Sequence, residues 1–160
     1  MKKITHINKE NKPSMVDISN KEITKRIAHA QSFVSFPKEV IERFVGGDIE
    51  TAKGPVFATA IIAGIMAAKK TYELIPFCHP IGMDDCQVNI ELDKSGKAKI
   101  DCICKVTHRT GIEMEAMVGA SVAALTVYDM IKAISQDIVI EKTRLVSKIG
   151  GKEDFNRDKS

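Results

Sequence analysis

The twenty residues EMEAMVGASVAALTVYDMIK, from Glu113 to Lys132, restrict what this chain can fold into more than any other stretch. Their body, Ala116 to Val127, is apolar, rich in small residues and good helix formers, and free of proline. Such a segment is expected to form a helix packed on most of its sides. Charge nevertheless sits at both ends. Glu113 and Glu115 open the segment, and Asp129 and Lys132 stand near its end with the three-residue spacing that puts two side chains on one helix face. From this stretch alone two readings remain open. The acids can simply favour the positive end of the helix dipole, with a surface ion pair at the other end. Alternatively, the charged ends belong to a functional site.

A buried helix needs a partner layer, and the chain supplies one. Cys86, Val88, Ile90 and Leu92 alternate with polar residues, as do Ile100, Cys102, Cys104 and Val106, across the turn residues Asp93-Lys94-Ser95-Gly96. This pattern predicts a β-hairpin with one covered face. ITKRIAHAQSFVSF, from Ile23, reads as a further strand that places Arg26 on the face opposite Ile27, with His29 as a solvated strand residue. DIVIEKTRLVSKI reads as one or two more strands. Pro37 opens a short amphipathic helix carrying Val40, Ile41 and Phe44, which Gly46-Gly47 ends. VFATAIIAGIMAAKKTYEL, apolar on most sides, predicts a second buried helix. Gly64 in its middle invites a close backbone approach. Pro76 and Pro80 stiffen the connection IPFCHPI. Helices and an antiparallel hairpin in a chain of 160 residues fit one two-layer α+β domain, a sheet with helices over one face. The polar residues 1–14 read as a flexible arm, residues 15–155 as the domain and residues 156–160 as a flexible tail.

Bulk properties exclude several functions. The net charge of +3 is small and dispersed, and no basic run is interleaved with aromatic residues, which argues against nucleic acid as a partner. A locally basic pocket for an anionic small molecule stays open. The longest apolar run, Val56 to Ala68, is shorter than a membrane span and is flanked by Lys53 and by Lys69-Lys70, so no membrane partner is expected. MKKITHINKENKP lacks the apolar stretch of a secretory signal, which predicts a cytoplasmic protein whose four cysteines are reduced thiols.

Among polar groups, Cys78, His79, Cys86, Cys102, Cys104 and His108 are all of zinc-ligating type. No C-x2-C pair occurs, however, and Cys102 and Cys104 fall on the inward face of a strand, so no metal site is expected. His79, held between Cys78 and Pro80, is fixed either for function or by a backbone hydrogen bond. Lys53 precedes Gly54-Pro55 at the start of an apolar helix, where a cation and free N–H groups can hold an anion. Lys148, Gly150, Gly151 and Lys152 make a second glycine–lysine cluster without phosphate-loop spacing. GxSxG, HExxH and GxGxxG patterns are absent, which argues against the commonest hydrolases, metalloproteases and dinucleotide enzymes.

Taken together, MVDIS from Met15, IAGIMAAKKTYELIPFCHPI from Ile62, TGIEMEAM from Thr110 and SVAALTVYDMIKA from Ser121, with SKIGGK from Ser147, resemble the MoaC family of molybdenum cofactor biosynthesis. The likeness runs from about Met15 to Phe155. It implies a ferredoxin-like α+β fold and a lyase that converts 3′,8-cyclo-7,8-dihydro-GTP to cyclic pyranopterin monophosphate with release of pyrophosphate. It further implies a homohexamer, a trimer of dimers, with active sites at subunit interfaces, and no cofactor. Asp129 would be the general acid/base and Lys132 its catalytic partner, their opposite charges keeping both ionised while partial burial lowers the lysine. Phe77, Cys78, His79, Met114 and Glu115, with Glu113 beside them, would contact substrate. Arg26, Lys53 and Lys148, and less directly Lys152, would contact its phosphates. Three positions depart from the family pattern: Pro55 where a small acidic residue is frequent, Phe77 where leucine or methionine is usual, and GGKEDF in place of GGKSGDF. A protein that binds a phosphorylated nucleotide or scaffolds partner enzymes, without turnover, is the alternative.

Overall fold

The computed structural model describes residues 6–8 and 10–159. Its long elements are β1 (Thr24–Ser35), α2 (Val56–Lys69), β4 (Asp85–Leu92), β5 (Lys97–His108), α4 (Glu113–Ile131) and β6 (Val139–Ile149). Shorter pieces fill the connections: α1 (Lys38–Ile41), β2 (Glu50–Thr51), β3 (Gly54–Pro55), α3 (Thr71–Leu74), β7 (Phe155–Asn156) and a 3-10 turn at Arg157–Lys159. The five-stranded sheet has the order β4-β5-β1-β6-β7, and each pair of neighbours is antiparallel. The long elements thus follow one another as βαββαβ, with β5 inserted between β1 and β4. The expected α+β class is present, with α2 and α4 packed on each other and against one face of the sheet.

The predicted hairpin forms as β4 and β5, with Asp93 closing the turn through its carboxylate, which accepts the N–H groups of Ser95 and Lys97. Ala98, Ile100, Cys102, Cys104 and Val106 are fully buried. They meet Ala28, Ala30, Ser32 and Val34 of β1 on the helix side, because paired residues share a face. Arg26 has the same parity as this buried row, on the face opposite Ile27 as expected. His29 lies on the other face, where its ring is 2.6 Å from Asp101, so it is paired rather than freely solvated.

The helices cross closely where both lack side chains. A Cβ on Gly64 would stand 2.9 Å from the Gly119 carbonyl oxygen and 3.2 Å from the Ala123 Cβ. The expected close approach at Gly64 is therefore real, and Gly119 is its counterpart. The expectation of complete burial fails: Ile62 and Met66, one turn apart on α2, are more than half exposed, as is Leu125 on α4. The face of α2 that packs is instead Phe57, Ala60, Gly64 and Ala68, whose small side chains permit the tight crossing. By length and composition α4 could span a membrane, but half of it is buried inside this fold.

The segments expected as an arm and a tail make local contacts. Between His6 and Ser14 the chain turns back on itself, with the Asn8 side chain accepting the N–H groups of Glu10 and Lys12 and an Ile7–Pro13 bridge closing the turn. Residues 1–5 of the expected arm lie outside the described residues. At the other end, Phe155 and Asn156 pair with Lys148 and Ser147 of β6.

Candidate active site

A cleft of about 480 Å³ opens where the N-terminus of α4 meets the end of the sheet and the IPFCHPI connection. Eight of the residues singled out in the sequence line it: Arg26, Phe77, Cys78, His79, Glu113, Met114, Glu115 and Lys148, and Lys152 joins them. Each is placed by a local cause. A β-bulge in β6 sets Lys148 opposite Ala28 and Leu145 opposite Ala30, three residues against two, which turns Lys148 to the helix side. There its Nζ lies 3.0 Å from Glu113 Oε1. The Glu113 carboxylate folds over Gly111, whose missing side chain leaves the space. Gly150, at φ 85°, passes so close to the Lys25 carbonyl that a Cβ would collide with it, and the chain then continues past the Arg26 guanidinium at Gly151. Arg26 is steadied by donating to the carbonyl oxygens of His108 and Arg109.

His79 both lines the cleft and is anchored to backbone. Its Nε2–H donates to the Val16 carbonyl oxygen at 2.9 Å, which fixes the tautomer and ties the MVDIS segment to the cleft. Glu115 is the unusual acid of the group. It is 4% exposed, and burial, reinforced by the nearby Glu113 charge, pushes its carboxyl up to about 7. Burial likewise raises the Cys78 thiol, with the Glu115 charge adding to the effect. The cleft therefore holds one carboxyl able to exchange a proton near neutrality, beside the cations Lys21, Arg26, Lys148 and Lys152.

Asp129, Lys132 and Lys53 do not line this cleft. They form a second cluster at the far end of α4, where Asp129 accepts from Lys132 at 2.7 Å and from Lys53 at 2.9 Å. The two lysines hold the Asp129 carboxyl at about 2, and Asp129 in turn raises Lys132. The expectation that burial would lower Lys132 is overturned, because its side chain is half exposed and its neighbour is an anion. The expected anion site at the start of α2 is also already filled. The Asp48 carboxylate accepts the N–H groups of Phe57 and Ala58, leaving Lys53 to pair with Asp129. From Glu115 to Asp129 is fourteen residues of α4, roughly 20 Å at 1.5 Å per residue.

Several cleft residues escaped the sequence reading. His6 stacks on Phe77 with ring centroids 6.1 Å apart, and Val16, Ile18 and Lys21 complete the wall. MVDIS carried a signal as part of the family likeness, whereas His6 had none, since neither spacing nor periodicity marks a residue in a polar turn.

A sheet end that gathers cations and a neutral-range acid around a cleft of about 480 Å³ defines a candidate small-molecule site in an α+β fold. The MoaC family model matches residues 15–151, and the chain belongs to that family. It is 52% identical over 155 residues to the cyclic pyranopterin monophosphate synthase of Xanthomonas oryzae pv. oryzae, covering 96% of this chain and 93% of that protein. The enzyme of the same name from Xanthomonas campestris pv. campestris strain B100 is 49% identical over 153 residues, with the same coverage. Molybdenum cofactor biosynthesis protein 1 of Dictyostelium discoideum is 48% identical over 165 residues, and there the match covers 92% of this chain but only 26% of the relative.

Proposed function

We propose that this chain is a cyclic pyranopterin monophosphate synthase, a lyase of molybdenum cofactor biosynthesis that acts on 3′,8-cyclo-7,8-dihydro-GTP. The observation that carries this reading is that the family match, residues 15–151, contains every member of both charged clusters except Lys152. The chemistry suits the site. Closing a cyclic phosphate by attack of a substrate hydroxyl on the α-phosphorus expels pyrophosphate, whose charge Arg26, Lys148 and Lys21 are placed to neutralise. Rebuilding a purine-derived ring as a pterin requires repeated proton transfers, for which Glu115, raised to about 7, is suited. Phe77, Cys78, His79 and Met114 form the wall against the substrate ring.

Asp129 and Lys132 take the catalytic roles that the family likeness assigns, with Lys53 beside them, and they act on a substrate held in a neighbouring subunit's cleft. Two features support a shared site in a homohexamer, a trimer of dimers. The clusters stand too far apart on α4 for one small ligand, and Ile62, Met66 and Leu125 leave apolar surface for a partner to cover. Within this assembly Asp129, held ionised, accepts protons or fixes Lys132, and Lys132 is the proton donor. The reading requires no cofactor or metal in the cleft and places the protein in the cytoplasm.

The test supplies purified protein with the cyclised GTP intermediate and follows pyrophosphate and pterin product. Asp129→Asn and Lys132→Ala are expected to lose at least 100-fold in kcat while keeping their fold, because both side chains are exposed in the single chain. Wild-type rates in either variant would remove the pair from the mechanism. Binding of the intermediate without turnover by the unaltered protein would favour a non-catalytic holder.

A further inference from the structure

Three cysteines that the cleft does not use converge beneath α4. Cys86 on β4 and Cys102 and Cys104 on β5 place their Sγ atoms within 4.8 Å of one another. Cys104 Sγ is 3.7 Å from Cys86 Sγ and 3.9 Å from Cys102 Sγ. The strand register is the cause, since Cys86 pairs directly with Cys104 and Cys102 is the next residue on the same face of β5. Room for the sulfurs comes from Gly119 of α4, where a Cβ would stand 2.7 Å from Cys102 Sγ.

Two of the three separations, those made by Cys104, are close to the spacing of a metal cage, and the third is no more than 4.8 Å. With bonds of about 2.3 Å, three thiolates around one zinc-sized ion stand roughly 3.8–4.0 Å apart in either trigonal or tetrahedral geometry. A disulfide, at about 2.05 Å between sulfurs, would have to draw two of these atoms together and abandon the third. Soft thiolates select ions such as Cu(I) and Zn(II) over magnesium or calcium. Access exists too. Cys86 is half-buried and lines a second cleft, of about 470 Å³, together with Lys69, Met83 and Asp85. Lys69 acts electrostatically on Cys86 in favour of the thiolate, against the opposing charge of Asp85. The absence of a C-x2-C pair argued against zinc from the sequence, but here the donors come from facing strands, where that spacing has no bearing.

We propose that Cys86, Cys102 and Cys104 form a three-thiolate site for one soft d10 metal ion per chain, separate from the substrate cleft. The full-length protein, reduced and freed of metal under anaerobic conditions, is titrated with Cd²⁺ while thiolate-to-metal charge-transfer absorption and thermal stability are followed. The expected result is a band that saturates at one equivalent per chain, with a rise in Tm. Cys86→Ser is expected to weaken binding at least 100-fold, and its half-buried position spares the core. Cys78→Ser should leave the band unchanged. A missing band, or a band indifferent to Cys86→Ser, would overturn the proposal.

Discussion

Glu115 shows how one residue couples stability to function. Its carboxyl is raised to about 7 from an ordinary 4.5, so the folded chain holds this proton more tightly than the unfolded chain. Folding is therefore unpenalised below the unfolded value, grows less favourable as pH climbs from about 4.5 to about 7, and carries the full penalty above that. The penalty is on the order of 1–3 kcal/mol. Glu115→Gln should consequently equal wild type in urea denaturation near pH 4 and exceed it at pH 8, while losing activity. An equal difference at both pH values would show that Glu115 does not titrate in this window. Glu115 was legible in GIEMEA as a candidate, but its proton affinity was not, because burial depends on packing that no spacing reveals. The same holds for Asp129 and Lys132. Their i,i+3 pairing was readable, whereas Lys53, 76 residues earlier in the chain, joins them only through the fold.

At the scale of the element, periodicity identified the hairpin and both long helices, with α4 close to its observed bounds and α2 ending at Lys69 where a single helix on to Leu74 was expected. It was weaker on which faces pack. In α2 the large apolar residues are Ile61, Ile62, Ile65 and Met66, yet the close crossing is made by Gly64 against Gly119. Gly64→Ala tests this crossing. The added methyl gains about 1 kcal/mol in helix propensity. It also presses on a backbone carbonyl at 2.9 Å and on Val88 Cγ2 at 3.3 Å, which forces two helices and a strand to move. A net loss of about 1–2 kcal/mol is expected from urea denaturation, since overpacking of this kind costs about 1–3 kcal/mol. Stabilisation would mean that the crossing yields without strain. The β6 bulges lay beyond reach of the sequence for a related reason. An inserted residue changes which parity faces inward, and DIVIEKTRLVSKI contains no glycine or proline to announce it.

At the scale of the whole molecule, α4 holds its two charged clusters apart as a rigid spacer, and that separation makes a strong prediction. If each site takes Glu115 from one subunit and Asp129 from its neighbour, two inactive variants can repair each other. In a mixed pair of Glu115→Gln and Asp129→Asn chains, one of the two sites recovers both groups and the other loses both. Random co-assembly of equal amounts should then restore about a quarter of wild-type activity. Assembled but inactive mixtures would place each site within a single chain. The His6–Phe77 stack has a practical consequence of a different kind. The chain has no tryptophan, so a tryptophan placed at residue 6 would be its lone indole emitter, resting on the wall of the cleft. Its emission colour would then report, in a cuvette and without any chemical label, whether the space beside it holds water or a guest.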